Sequence, residues 1–349
     1  MAQYTLTRAG RTWHFVAGIA NDSVMVGVRY PSSIAIAPDG HIFVLSRGMP
    51  TDSPDALGDG GKIGKWHLDG TRIGDYARNE FTWTAGIAVA ADGDVYCADE
   101  HDNFIAAFPP NGPFRPFPEF NPDGEFKFKW GEPGSADGQF NSPSGLVFDQ
   151  HDDLLVVDSR NNRVQKFTKE GVRLSGWGAR GVGEGEFDRP WGICVDKDGF
   201  VYVADWGNHR VQKFTPDGEY VMTFGSHFDS GGDLKHPSDV AVDSDDDVYV
   251  IDWSNKRVQI YEPDGEIIGA LHGNATDPYD RNVKDAFTLT DNARKADARI
   301  DSGALIGRFD RPIGIAIDGE DRIYVAETRR CRIQIYGKDK AFVEAPPDA

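Results

Sequence analysis

Two pairs of residues in this chain have the types that proton transfer needs. In "HPSDVAV" His236 stands three positions before Asp239, and in "ADEHDN" Glu100 is followed by His101. A carboxylate near an imidazole works as general acid or base when its surroundings move a pKa toward neutrality. The competing readings are a hydrogen bond from Asp239 to its own loop and, for Glu100 and His101, ordinary solvated side chains. Three tryptophans, Trp191, Trp206 and Trp253, fall at related positions of successive segments. Aromatic walls with a few polar groups line small-molecule pockets, and Ser144, Ser238 and Arg160 would supply polar contacts; the same rings would equally fill a channel mouth. The chain contains no GxSxG elbow, HExxH or P-loop. Its "GARGVGEGEF" precedes a strand and opens no helix, so it lacks the helix N-terminus that phosphate binding requires.

What positions these residues is a repeat. "LLVVDSRNNRVQKFTKEGVR", "VYVADWGNHRVQKFTPDGEY" and "VYVIDWSNKRVQIYEPDGEI" begin at 154, 201 and 248, a spacing of 47, and "IYVAETRRCRIQIYGKDKAF" begins 75 further on, at 323. A fixed period in which no unit can bury its own apolar face marks a repeat architecture with shared cores. Period-2 alternation broken by DG turns predicts antiparallel meander strands, four to a unit, which is the build of a propeller blade. Inner strands start at 31, 84, 143, 190, 237 and 312, giving six blades. The last blade runs out after three strands, and "GRTWHFVAG" near the N-terminus reads as its missing outer strand. The predicted fold is therefore all-β: a six-bladed β-propeller of four-stranded antiparallel blades, one domain over 1–349, closed by the N-terminal strand so that the seam leaves no sheet edge.

In such a meander the inner strand begins, and the second strand ends, at one rim. Ser32, Ala85, Ser144, Trp191, Ser238 and Ile313 follow the start of each inner strand; Glu100, Ser159, Trp206, Trp253 and Thr328 follow the second-strand acid. Blade one departs from the rule, with Ser46 in the acid's place and Arg47 next. The repeated Asp99, Asp158, Asp205 and Asp252, and the repeated Arg163, Arg210 and Arg257, are too regular for a unique site and read as bonds within or between blades.

The "NxRVQKF" and "DxxGxVYVAD" phrases resemble the NHL-repeat family of six-bladed propellers, which contains enzymes, RNA binders and protein scaffolds. "FVLSRGM", with an insertion before the third strand of blade one, resembles the first blade of the peptidyl-alpha-hydroxyglycine alpha-amidating lyases. That resemblance implies that Arg47 is an anion or carbonyl clamp, a role that suits a bidentate, permanently charged guanidinium. The family's three zinc histidines correspond to Ala85, Trp191 and Ile313 here, none of which binds zinc, its second Arg to Trp206, and an acid that helps hold its structural calcium to Gly314. The expectation is a propeller without metal or other cofactor at its site. The acidic turns "DKDG", "DSDDD" and "DQHDD" read as hairpin turns first, and structural calcium is the lesser reading because the ordered ligand spacing is missing.

A formal charge of −19 over 349 residues opposes binding to nucleic acid or to an anionic membrane surface. Cys97, Cys194 and Cys331 are odd in number and widely spaced, which indicates neither a disulfide framework nor a zinc knuckle. With no signal-peptide pattern and no apolar run of membrane length, the expected location is cytoplasmic. The 28 residues beyond the period place an insertion at 274–308, a lid-like loop between blades five and six; with excursions at 48–60 and 109–137 it would crowd the rim. Two functions follow as expectations. One is an enzyme of lyase, hydrolase or isomerase type acting on a small organic molecule, with Arg47 stabilising charge and an acid or His moving a proton. The other is a binding module whose rim holds a protein or peptide partner.

Overall fold

The computed structural model describes residues 5–8, 11–19, 28, 30–47, 61–77, 80–110, 126–225, 234–273 and 309–339. The expected lid at 274–308, the excursion at 48–60 and the centre of the one at 109–137 lie outside them.

Six antiparallel sheets form the propeller. From inner to outer strand, blade one is Pro31–Ile36, Ile42–Ser46, Lys62–Trp66 and Arg72–Tyr76, and blade two is Thr84–Val89, Val95–Asp99, Phe104–Phe108 and Phe128–Trp130. Blade three is Pro143–Phe148, Leu154–Asp158, Arg163–Phe167 and Arg173–Trp177; blade four is Pro190–Val195, Val201–Asp205, Arg210–Phe214 and Tyr220–Phe224. Blade five is Pro237–Val242, Val248–Asp252, Arg257–Tyr261 and Ile267–Leu271. Blade six joins Pro312–Ile317, Ile323–Glu327 and Arg332–Asp339 to the N-terminal Arg11–Ile19, as expected, and adds a fifth strand, Thr5–Arg8, that the repeat did not predict.

The second strand of every blade is buried along its whole length. Both of its faces pack against neighbouring blades, which is why "VYVAD" reads as a nearly continuous apolar run and alternation weakens there. The outer strand of blade three, by contrast, is largely exposed.

Around the channel the inner strands approach closely. A Cβ on Gly86 would lie 2.0 Å from the Ser144 carbonyl oxygen, and one on Gly145 would lie 2.5 Å from that of Trp191, so only glycine admits the neighbouring backbone. Each inner strand also shifts register just after its first residue, a bulge of the kind that re-aims side chains at a rim.

The seam is closed by more than sheet pairing. Trp13 is 1% exposed and its indole donates to Tyr249 Oη at 2.9 Å, which donates to Asp243 at 2.8 Å. Lys338, wholly buried, holds Asp243, Asp245 and Asp247 of the "DSDDD" turn, and Arg11 reaches Asp247 at 3.2 Å and Glu262 at 2.9 Å. The last strand and the N-terminal strand thus both grip blade five. On the other side, Thr328 Oγ1 donates to the Pro31 carbonyl at 3.0 Å, joining blade six to blade one.

Candidate functional site at the blade rim

Pairing of Pro143 with Asp158, Pro190 with Asp205, Pro237 with Asp252 and Pro312 with Glu327 puts inner-strand starts and second-strand ends on one rim. There the repeated acids and arginines form a lock in four blades. Asp158 accepts from Asn141 N, Asn161 Nδ2 and Arg163 Nε at 2.7, 2.9 and 2.8 Å. Asp205 with Arg210, Asp252 with Arg257 and Glu327 with Arg332 repeat the arrangement. These buried pairs are structural, each acid also holding the chain that enters its blade.

Blades one and two lack the lock. Ser46 replaces the acid in blade one, and its buried Oγ has no hydrogen-bond partner among the described residues. In blade two Asp99 remains, but Phe104 stands where the Arg would be, and the carboxylate is filled by the backbone N–H groups of Thr82, Trp83, His101 and Asp102.

Arg47 lies across this junction. Its Nε donates to the Thr84 carbonyl at 3.0 Å, its Nη2 reaches Glu100 at 3.4 Å, and its guanidinium sits 5.0 Å from the centre of the Trp83 ring. Burial weakens the guanidinium's hold on its proton, and Glu100 opposes that effect. Burial also pushes the Glu100 carboxyl above the usual carboxylate range, with a further push from Asp99, while Arg47 and Arg160 pull it back. Arg160 is exposed on the far side of Glu100, so positive, negative and positive groups run across blades one to three. Trp83, 44% exposed, was not singled out in the sequence; its register, beside Tyr30, Ser142, Arg189, His236 and Arg311, is the signal that marks it as a rim residue.

The other expected residues separate. His101 turns to Asp102, at 2.8 Å, while Glu100 turns to Arg47; the hydrogen bond to Asp102 raises the imidazole's pKa. His236 stacks on Trp206, ring centres 4.1 Å apart, meets His209 edge-on at 4.3 Å and pairs with Ser254 Oγ at 2.9 Å. Burial lowers its pKa, as do the charges of His209, Lys235 and Arg189. Asp239 has other partners: its two oxygens accept from Val240 N and Ile315 N, both at 3.0 Å, tying blade five to blade six. Burial pushes its pKa up to about 7, against both hydrogen bonds.

Ser144 Oγ donates to the Trp191 carbonyl at 2.9 Å and Ser238 Oγ to that of Ile313 at 3.1 Å, so both hydroxyls staple adjacent blades. Trp191, Trp206 and Trp253 are half-buried, and no ring contact joins them among the described residues. The Trp206 ring is instead packed by His236 and, at 4.8 Å, by Arg189. The order of blades places Arg47 half a turn from blade four. Among the described residues no group of three or more His, Cys, Asp or Glu is arranged to hold a metal ion, and no helix is long and apolar enough to cross a membrane.

Comparison with known proteins bears on the repeat directly. Residues 140–167, 187–214, 234–261 and 309–336 match the NHL repeat. The chain carries NHL repeats. Each segment covers the first, second and third strands of its blade, in blades three to six, and the two blades without the lock are not among the matched segments. Two curated proteins share a single stretch of 43 residues at 46% identity: the protein brain tumor of Drosophila melanogaster and the B-box type zinc finger protein ncl-1 of Caenorhabditis elegans. That stretch is 12% of this chain and only 4% and 5% of theirs. Among solved structures, a virginiamycin B lyase from Staphylococcus aureus with quinupristin superposes with a TM-score of 0.55 at 14% identity, over 94% of this chain and 99% of that one. A gluconolactonase from Xanthomonas campestris gives 0.57 at 13% identity, over 95% and 91%. A nidogen/laminin complex gives 0.52 at 15%, over 77% and 92%. At these identities the likeness is one of fold.

Proposed function

We propose that this NHL-repeat propeller is an enzyme acting on a small organic molecule with a carboxylate or carbonyl group, at the rim of blades one to three. The observation that supports it is the Arg47–Glu100 contact, seated on Trp83 in the two blades that lack the structural lock. Arg47 stabilises negative charge as it builds on the substrate oxygen. Glu100, whose burial favours its protonated form, moves the proton. Lyase, hydrolase and isomerase chemistry all use such charge stabilisation and proton transfer, and no role falls to zinc at these three positions, because Ala85, Trp191 and Ile313 carry no ligand atom for it. The same fold serves a virginiamycin B lyase and a gluconolactonase, which supports an enzyme on this scaffold.

The test is turnover of a panel of lactones and small carbonyl acids by wild type, Arg47→Ala and Glu100→Gln. Removing a charged hydrogen bond to the transition state lowers kcat/KM about ten- to a hundredfold in the first variant. Removing the proton-transfer group lowers kcat about a hundredfold or more in the second. Undiminished turnover in both variants places the chemistry elsewhere. Absence of turnover across the panel favours the second reading, a module that binds a protein or peptide, which the exposed cations of the same rim support.

A further inference from the structure

The chain's negative charge is not spread evenly, and the side chains on its two faces have different amounts of structural work. The turns joining first to second strands are rich in acids that the fold uses. Asp149, Asp196, Asp243 and Asp318 each accept backbone N–H groups of their own turn, and the lysines there, such as Lys166, Lys169 and Lys197, are paired with aspartates. Those acids are accounted for by the fold.

The opposite rim carries exposed cations that the fold does not use. Lys235, Arg311 and Arg329 are exposed and have no carboxylate within ion-pair distance among the described residues. Lys256 and Arg330 reach Asp310 and Glu327 only at 3.7 and 3.9 Å. By blade order these positions form an arc over blades five and six. On a protein of charge −19, an arc of five cations on one rim, of which Lys235, Arg311 and Arg329 have no acid partner among the described residues, is a local field of opposite sign, which attracts and orients an anionic partner.

We propose that this arc docks an extended acidic segment of a partner protein. A peptide fits better than a nucleic acid for two reasons. A long polyanion would run past the rim toward the acidic turns, whose repulsion is screened only beyond about 8–10 Å. In addition, base stacking needs free aromatic faces, whereas Trp206, beside the arc, is packed by Arg189 and His236.

The experiment is fluorescence anisotropy of a labelled oligoglutamate peptide with the full chain, wild type and two triple variants. Lys235→Gln, Arg311→Gln, Arg329→Gln removes the arc. Lys127→Gln, Lys169→Gln, Lys197→Gln removes the same charge from the other face and serves as the control for net charge. The expected result is wild-type binding that weakens with added salt, a loss of about tenfold in the rim variant, and unchanged affinity in the control. No binding by wild type, or equal losses in both triple variants, overturns the docking site. Tighter binding of a single-stranded oligonucleotide of equal charge, lost in the rim variant, overturns the choice of a peptide.

Discussion

Trp13→Ala tests whether the N-terminal strand holds the ring shut. The residue is 1% exposed and belongs to a core cluster shared by blades five and six, with Tyr249, Ile251, Phe309, Ile323 and Tyr336. Emptying such a site costs about 3–5 kcal/mol. The lost indole N–H also leaves Tyr249 Oη with one hydrogen bond, to Asp243, where it had two, which adds about 1 kcal/mol. For a chain of 349 residues, unfolding entropy scales so that 1 kcal/mol shifts Tm by roughly 1.5 °C, and the expected fall is about 6–9 °C. Trp13→Phe keeps most of the packing and should lose about a third of that. Thermal unfolding by circular dichroism gives the shift, and hydrogen exchange locates it: amides of Arg332–Asp339, which pair with Arg11–Ile19, should lose protection first. Melting within about 1 °C of wild type, with those amides still protected, would show that the strand is an accessory and that blade six stands without it.

Three further outcomes follow from the rim and channel. Gly86→Ala drives a Cβ against the Ser144 carbonyl, backbone meeting backbone with no flexible side chain to yield, and should cost about 1–3 kcal/mol; Gly319→Ala, with nothing within 4 Å, should leave Tm unchanged. Asp239 has an ordinary pKa of 3.8 and a folded one near 7, so the folded state holds its proton over that window, and stability falls as pH rises between those values and is flat above. Discounted for solvent at the channel, the change is about 1–2 kcal/mol, and a pH series of urea midpoints should show this slope in wild type and not in Asp239→Asn. His209 accepts from His236 N at 3.0 Å, as Asn162 does from Arg189 N at 2.8 Å and Asn103 from Ser142 N at 2.7 Å, all three with positive φ. His209→Asn should therefore match or exceed wild-type stability, and His209→Ala should lose about 1 kcal/mol, readable from denaturant midpoints.

The blade count, the strand order and the closing strand were legible because each depends on local pattern: alternation, DG turns and a phrase repeated at a fixed period. The regular acids and arginines were legible as structural by their repetition alone. What was not legible depends on side chains from different blades. Trp206 meets His236 across the junction with blade five and Arg189 at the entry of its own blade, and nothing in "DWGNHR" announces that its ring is already packed. The Glu100–His101 pair failed for a related reason, since neighbours in sequence on a turn point apart, and the imidazole found Asp102. Trp83 was missed because it precedes its inner strand, outside the alternation that brought Trp191 to notice.

The rim groups that matter for function are those the fold does not already use. In blades three to six the second-strand acid is saturated by an arginine and by the chain entering the blade, so neither partner is available to a ligand. Asp99 reaches the same state through four backbone N–H groups. Blade one gives the arrangement up, and leaves the buried Ser46 hydroxyl without a partner among the described residues, a cost of about 1–3 kcal/mol in comparable sites. The effect of Ser46 is on what stands next to it: with no acid at 46 to capture a guanidinium, Arg47 extends to blade two and meets Glu100, whose own blade has replaced the competing Arg with Phe104. The two departures from the repeat are complementary, since restoring either charge would supply a rival partner for Arg47 or Glu100. A rival for that pair is what Ser46→Asp would introduce, and it should draw Arg47 inward, raise Tm and abolish turnover together, whereas an ornamental Arg47 would leave activity where it was.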